Sequence, residues 1–333
     1  MNHLPAEPLE SVEIKAPSRL HLGLFGWGPE AEMQFGGFGL MIDKPELVLK
    51  VTFSDIDQFN VPEDQKVKYK SLSDSCRAYL SQRNVEIPRL HFRLNAFPPM
   101  HHGLGSGTQR AMAVAAAVSK LCGFRVSSPA DLAAMANRFP RSGVGIHGFW
   151  HGGMIIDAGH SAGLGGHMQI APLMARIAWP EQWQILLVIP DEPEGVSSHA
   201  EQNVFQHLPP PDRSSMSDVK QAVFGDLTNA MENRQFKLAM TAIETVQVIV
   251  GQWFAPGQQG SVYGSPLRDR LISAMKQAGL KGVGQSSWGP ALFGFGQAGE
   301  IDAIEARFRE LIAGESNNII VIRTEARNQP TLT

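Results

Sequence analysis

Pro99-Met100-His101-His102-Gly103-Leu104-Gly105-Ser106-Gly107-Thr108-Gln109 is the stretch that decides the reading of this chain. It follows the alternating segment Leu90-His91-Phe92-Arg93-Leu94 and precedes Ala111–Val118, a run apolar on every side. The first pattern predicts a strand and the second a buried helix stopped by Gly123. Glycines let a backbone approach a ligand closely. The unpaired N–H groups of the first helical turn would face that ligand with the positive end of the helix dipole. Ser106 and Thr108 add hydroxyls and Arg110 a fixed charge, so Gly103, Leu104, Gly105, Ser106, Gly107, Thr108, Gln109 and Arg110 are read as an anion cradle, with Ser106 as a candidate magnesium ligand. The competing reading is a tight turn that binds nothing. The spacing fits neither a Walker loop nor a dinucleotide fingerprint.

The rest of the chain sets the frame for that loop. Hydrophobic residues make up 43% and charged residues 18% of 333, the composition of a globular protein with a sizeable core. A formal net charge of −3 gives no bulk basic field, so nucleic acid is not an expected partner and any anion must be captured locally. Two cysteines, Cys76 and Cys122, without a paired framework read as reduced thiols, and the acidic, proline-bearing N-terminus has no signal-like apolar stretch. No apolar run reaches about 18 residues, so no membrane partner is expected and the protein is placed in the cytoplasm.

Strand-like segments at 12–15, 20–22, 47–51, 90–94 and 153–157 fill the first half, with a helix over 70–82 and a short one over 129–138. Trp183–Ile189 reads as a further strand. Helical patterns at 216–232, 234–252, 265–278 and 299–313 then dominate, with strands at 291–296 and 319–323. A strand-rich half followed by a helix-rich half predicts an α+β protein of two domains, 1–175 and 176–333. The two long helices 216–232 and 234–252 are assigned to core and subunit packing, with a homodimer expected.

The loop resembles the second motif of the GHMP kinase superfamily, P-x-x-x-G-L-G-S-S-A. Ala16-Pro17-Ser18-Arg19-Leu20-His21-Leu22-Gly23 resembles its N-terminal motif, and Gly282-Val283-Gly284-Gln285-Ser286-Ser287-Trp288-Gly289-Pro290 its third. The resemblance implies a two-domain GHMP-kinase-like fold. Kinases of this type carry S-G-x-D, but Ser142-Gly143-Val144-Gly145 puts glycine where the acid belongs, and Gly107 replaces the second loop serine. A glycine cannot accept a proton from a substrate hydroxyl. With S-R-L-H, G-L-G-S-G-T-Q, G-G-M-I-I-D-A-G-H-S and G-Q-S-S-W-G-P, the chain resembles the β-ribofuranosylaminobenzene 5′-phosphate synthases. That resemblance implies phosphoribosyl pyrophosphate and a 4-aminobenzoate or 4-hydroxybenzoate acceptor as substrates, joined with loss of CO2 and pyrophosphate in methanopterin biosynthesis, with Mg²⁺ as cofactor. An ATP-dependent small-molecule kinase and a non-catalytic ligand-binding relative are the alternatives.

Arg19 and His21, two residues apart, should share a strand face. Arg19 is a candidate for bidentate pairing with phosphate or carboxylate. Asp157 and His160 end a strand and complete the candidate catalytic set, although a turn with a capping aspartate reads equally well. Ser142, Gly143, Ser286 and Ser287 are candidate phosphate contacts. Arg138 and Arg141 could share an anion, His101 or His102 could donate to one, and Glu194 and Glu201 are read as coating a loop. His147 and His151 have i,i+4 spacing, but the surrounding glycines weaken a metal pair.

Overall fold

The computed structural model describes residues 9–138, 143–161, 169–193, 198–316 and 318–332. In chain order the first half runs β1 (Ser11–Leu24), β2 (Met33–Gln34), β3 (Gly37–Phe53), β4 (Gln58–Asn60), α1 (Lys66–Ser81), β5 (Leu90–Ala96), α2 (Ser106–Leu121), α3 (Pro129–Met135) and α4 (Gly143–His151). Strands β6 (Met154–Asp157), β7 (His160–Ser161) and β8 (Leu173–Ile177) follow. The second half adds β9 (Trp183–Pro190), α5 (Ser198–His207), α6 (Arg213–Lys220), α7 (Thr228–Glu232), α8 (Phe236–Phe254), α9 (Pro266–Ala278), β10 (Lys281–Gln285), β11 (Leu292–Gln297), α10 (Ile301–Leu311) and β12 (Ile319–Thr324).

Two sheets organise the molecule. The first has the order β4-β5-β3-β6-β8, with β1 antiparallel along the length of β3; the second has the order β10-β11-β9-β12. The fragmented strand pattern of residues 12–22 is one 14-residue strand, whose register against β3 shifts between Ala16 and Ser18 and again between His21 and Gly23. Those two irregularities bracket Arg19 and His21 and re-aim that stretch, as bulges do beside functional sites.

Helix α2 is the apolar rod its sequence requires. From Ala111 to Val118 every side chain is buried, in a core with α1, α3, α4 and the β1/β3 sheet. A second core runs between the sheets and under α8: Leu20, Leu22 and Phe38 from the first half share it with Ile185, Leu187, Val246 and Phe295 from the second. The expected boundary at 175 falls inside β8, which pairs with β6 in the first sheet. The chain's end also returns: Ala326 bridges to Ile42, and the Lys44 N–H donates to Thr324 Oγ1. By length and composition Phe236–Gln258 is apolar enough to cross a membrane, yet half of it is buried. Its Gln247 carries hydrogen bonds inside the protein: Nε2 donates to Leu22 O and Oε1 accepts from Gln285 N.

Candidate functional site

Three segments far apart in sequence meet at the N-terminus of α2. Gly105 is its N-cap, with φ 69°, no side-chain cap, and no acidic residue in the turn that follows. Thr108 and Gln109 N–H groups already turn back to Gly105 O. The first N–H groups of the helix thus keep their donor capacity and dipole for a ligand. Gly103 shows why glycine is required here: its φ is +80°, and a Cβ would lie 2.1 Å from Ser286 O.

Ser286 ties the three segments together. Its buried Oγ accepts from the His21 N–H at 2.9 Å and donates to Gly103 O at 2.7 Å. Ser287, at φ +55°, donates its N–H to His21 O, and the Arg19 N–H donates to Leu104 O. A serine in the left-handed region is uncommon and marks a geometry imposed by its surroundings. Behind it, Arg268 Nη1 donates to Gln285 Oε1 at 2.8 Å while its Nε pairs with Glu192. Gln285 Nε2 in turn reaches Gln258 Oε1 and Ser287 O. A half-buried ion pair and a run of amides thereby hold the 286–289 turn.

Arg19 is the electrostatic centre. Its Nε and Nη1 are buried and make no hydrogen bond, and a Cβ on Gly105 would lie 3.0 Å from that Nε. Burial lowers its pKa to about 10, with Glu201 and Asp157 opposing the shift. Arg138 stands at the next turn of the cradle, its Nη2 3.4 Å from Thr108 Oγ1. Two guanidinium groups therefore flank one uncapped helix end, an arrangement complementary to a multiply charged anion. His21, 8% exposed, is driven well below its usual pKa by burial and by Arg19, and is neutral at pH 7.

Asp157 is fully buried; Oδ2 accepts from Val144 N and Oδ1 from Gly159 N. Burial raises its pKa to about 6, against those N–H groups and Arg19. It caps α4 and adds charge to the neighbourhood of Arg19. His160 lies on the two-stranded β2–β7 ribbon opposite Gln34. Gly143 packs at the head of α4, where a Cβ would lie 3.0 Å from Asp157 Cβ.

Parts of the expected cradle are turned elsewhere. Arg110 is buried, donating to Gln65 and lying over the Tyr69 ring at 5.9 Å. The Leu104 side chain belongs to the shared core, and Gln109 Nε2 donates to Gly145 O at 2.9 Å. These three side chains are structural: Leu104, before the helix, packs into the core, while Gln109 and Arg110 turn to α4 and to the start of α1. Gly145, at the position of the kinase acid, faces the same helix: a Cβ there would sit 3.1 Å from Thr108 Cγ2. His147 and His151 stack at 6.2 Å on a regular α4, with His147 Nε2 donating to Ala171 O. Ser142, Arg141 and Glu194 lie outside the described residues. Among the described residues, no group of three or more His, Cys, Asp or Glu side chains is placed to hold a metal.

Sequence reasoning missed two contributors. Glu201, read as loop coating, accepts from the Trp288 indole N–H at 3.1 Å and acts on Arg19 electrostatically. Arg268 had no signal, being one arginine on an amphipathic helix. Gln285 and Trp288 at least stood inside the third motif.

Comparison with known proteins bears on the fold and the family. The GHMP kinases N terminal domain family matches residues 71–153. The homoserine kinase of Cytophaga hutchinsonii superposes with a TM-score of 0.65 at 16% identity, covering 98% of each chain. The mevalonate diphosphate decarboxylase of Enterococcus faecalis gives 0.63 at 18%, covering 96% of this chain and 97% of that one. These likenesses establish the fold, an α+β GHMP kinase fold. The beta-ribofuranosylphenol 5′-phosphate synthase of Methanothermobacter thermautotrophicus is 30% identical over 293 residues, 84% of this chain and 87% of that protein. The chain belongs to the β-ribofuranosylphenol 5′-phosphate synthase family.

Proposed function

We propose that the protein is a decarboxylating pentosyltransferase that joins phosphoribosyl pyrophosphate to a 4-hydroxy- or 4-aminobenzoate. The observation that carries the reading is Arg19, whose Nε and Nη1 are buried and unbonded, beside the open N-terminus of α2. A cation placed at the positive end of a helix is unfavourable until an anion lies between them. Arg19, Arg138 and the N–H groups of Ser106 and Gly107 would hold the pyrophosphate and stabilise the charge that develops as it leaves.

In this reaction the C1–O bond of the ribose breaks and pyrophosphate departs with the electron pair. The ring carbon bearing the carboxylate supplies a π pair to form the C–C bond. The bond to the carboxylate carbon then breaks, its electrons restore aromaticity, and CO2 leaves. No hydroxyl is deprotonated, so glycine at position 145 and neutral His21 accord with the chemistry. Magnesium would neutralise part of the pyrophosphate charge. The donors present suit an ion that arrives on the substrate, with the Ser106 hydroxyl as one protein ligand, since Mg²⁺ keeps waters and phosphate oxygens where carboxylates are few. A cytoplasmic homodimer serving methanopterin biosynthesis is part of the same proposal.

The test is direct. Purified protein with Mg²⁺, phosphoribosyl pyrophosphate and either acceptor should release CO2 and pyrophosphate in equal amounts. Absence of both products with both acceptors overturns the reading, and ATP consumption with an alcohol in its place would establish a kinase.

A further inference from the structure

Beside the anion cradle stands a group of aromatic rings. Phe205 on α5 lies edge-on to Phe35 and to Trp27, each at 5.0 Å, and at 5.6 Å to Trp288. Trp288 is itself stacked on Phe254 at 4.2 Å. Most of this group is core, but its outer member is not. Phe35 is 38% exposed and has φ +58°, fixed by its N–H donating to Gly26 O. A bulky residue in the left-handed region costs on the order of 1 kcal/mol, and an exposed ring recovers little of that through burial. The backbone just beyond it, at Gly37, runs against the His21 ring: a Cβ there would lie 3.3 Å from His21 Cε1. Phe35 is thus two residues from backbone that touches the His21 ring, and Trp288, 5% exposed, directly follows Ser287 of the same site.

Glu201 supplies the polar end of this corner. Its Oε1 is fixed by the Trp288 indole, and a carboxylate retains further lone pairs for other donors. It also lies within electrostatic range of Arg19.

We propose that Phe35, Phe205 and Trp288 form the subsite for the aromatic acid acceptor, and that Glu201 accepts a hydrogen bond from its para hydroxyl or amino group. The inference rests on the transferase reading given above. The C–C bond forms at the carboxylate-bearing carbon, so that end of the ring faces the ribose and the cradle. The para end then faces Glu201. When the ring carbon attacks, positive charge spreads through the ring onto the para oxygen or nitrogen, and a carboxylate bonded to that O–H or N–H stabilises it. The charge disappears when CO2 leaves, so Glu201 keeps no proton. Edge-on aromatic neighbours take a flat ring in the offset geometry that aromatic pairs prefer.

Steady-state kinetics of full-length Phe35→Ala and Glu201→Gln, with tryptophan fluorescence titration by 4-hydroxybenzoate, test the subsite. Phe35→Ala should raise the acceptor KM about tenfold, the size of one lost aromatic contact of 1.4 kcal/mol. Glu201→Gln should lower kcat at least as much, because a neutral amide stabilises the developing cation less. The KM for phosphoribosyl pyrophosphate should stay within about twofold in Phe35→Ala, which carries no charge near Arg19, while Glu201→Gln, by removing a negative charge from the surroundings of Arg19, should if anything lower it. In the unmutated protein 4-hydroxybenzoate should quench fluorescence while 4-methoxybenzoate, which has no para donor, should bind more weakly. Turnover with unchanged acceptor constants in both variants overturns the subsite and leaves the transferase intact. Quenching that Phe35→Ala abolishes, without turnover by the parent protein, upholds the subsite and overturns the reaction. Neither quenching nor turnover overturns both.

Discussion

Arg19 does two things that pull in opposite directions. Its Nε and Nη1, buried without hydrogen bonds, cost the protein stability; in the proposed reaction the same group would supply binding energy for an anion. Arg19→Met should therefore leave Tm unchanged or raise it, while affinity for phosphoribosyl pyrophosphate falls on the order of a hundredfold, two charge-assisted hydrogen bonds being lost. Calorimetric titration and a thermal melt on one preparation decide this; a Tm drop with intact affinity would show Arg19 to be structural. Asp157 gives the pH counterpart. Its carboxyl is raised from 3.8 to about 6 in the folded protein, so the folded state binds the extra proton between those values. Its stabilising contribution is present in full below pH 3.8 and is lost as pH rises through 6, by about 3 kcal/mol at 1.36 kcal/mol per unit. Denaturant melts from pH 4 to 7 should show that decline, and Asp157→Asn should flatten it. Arg19 could be found from sequence because a strand's period of two and a motif placed it. The direction of Arg110 could not, since two arginines flanking one loop differ only in which core each meets.

Helix α4 was harder to read than α2 because three of its nine residues are glycine, which has poor intrinsic helix propensity. The glycines are there for close packing: at Gly148 a Cβ would meet Met41 Sδ at 2.2 Å, and at Gly145 it would meet Thr108. Gly145→Asp, which restores the kinase pattern, should place a carboxylate against the Thr108 methyl and cost about 2 kcal/mol through overpacking and burial. It should yield no ATP-dependent phosphorylation across a panel of small alcohols, read by ADP release, because Gln109 and Thr108 already occupy the space such an acid would need. ADP formation above the parent protein's background would contradict this. The elements that escaped the sequence reading were of one kind. Strands β2 and β7 are two residues each and β4 three, β8 is mostly exposed, β10 has two glycines in five residues, and α5 has only Ala200, Val204 and Phe205 as apolar residues, so none repeats a hydrophobic period long enough to register.

At the scale of the whole chain, an α+β fold was legible as a change of texture from strand-rich to helix-rich, but the core shared by the two halves was not. Leu20 and Phe38 lie in one core with Val246 and Phe295, and the C-terminal segment returns to pair with Ile42. Contacts between segments that distant leave no periodic trace in sequence. A shared core predicts that the halves unfold together: scanning calorimetry should give one transition with equal calorimetric and van't Hoff enthalpies, and two resolved transitions would refute it. Phosphoribosyl pyrophosphate at a hundred times its Kd should add about 2.7 kcal/mol to that single transition.

The Ser286 hydroxyl, joining His21 to Gly103, has a consequence for the order of events during synthesis. Residues 21 and 103 leave the ribosome long before residue 286, so for most of translation the glycine loop and the arginine strand lack the serine clamp and can share only the bond from Arg19 N–H to Leu104 O. The arrangement proposed to bind the anion is complete only when the last sixth of the chain emerges. Substrate in the cell therefore has no means of templating the nascent first half, and can act only as a seal on a protein already complete.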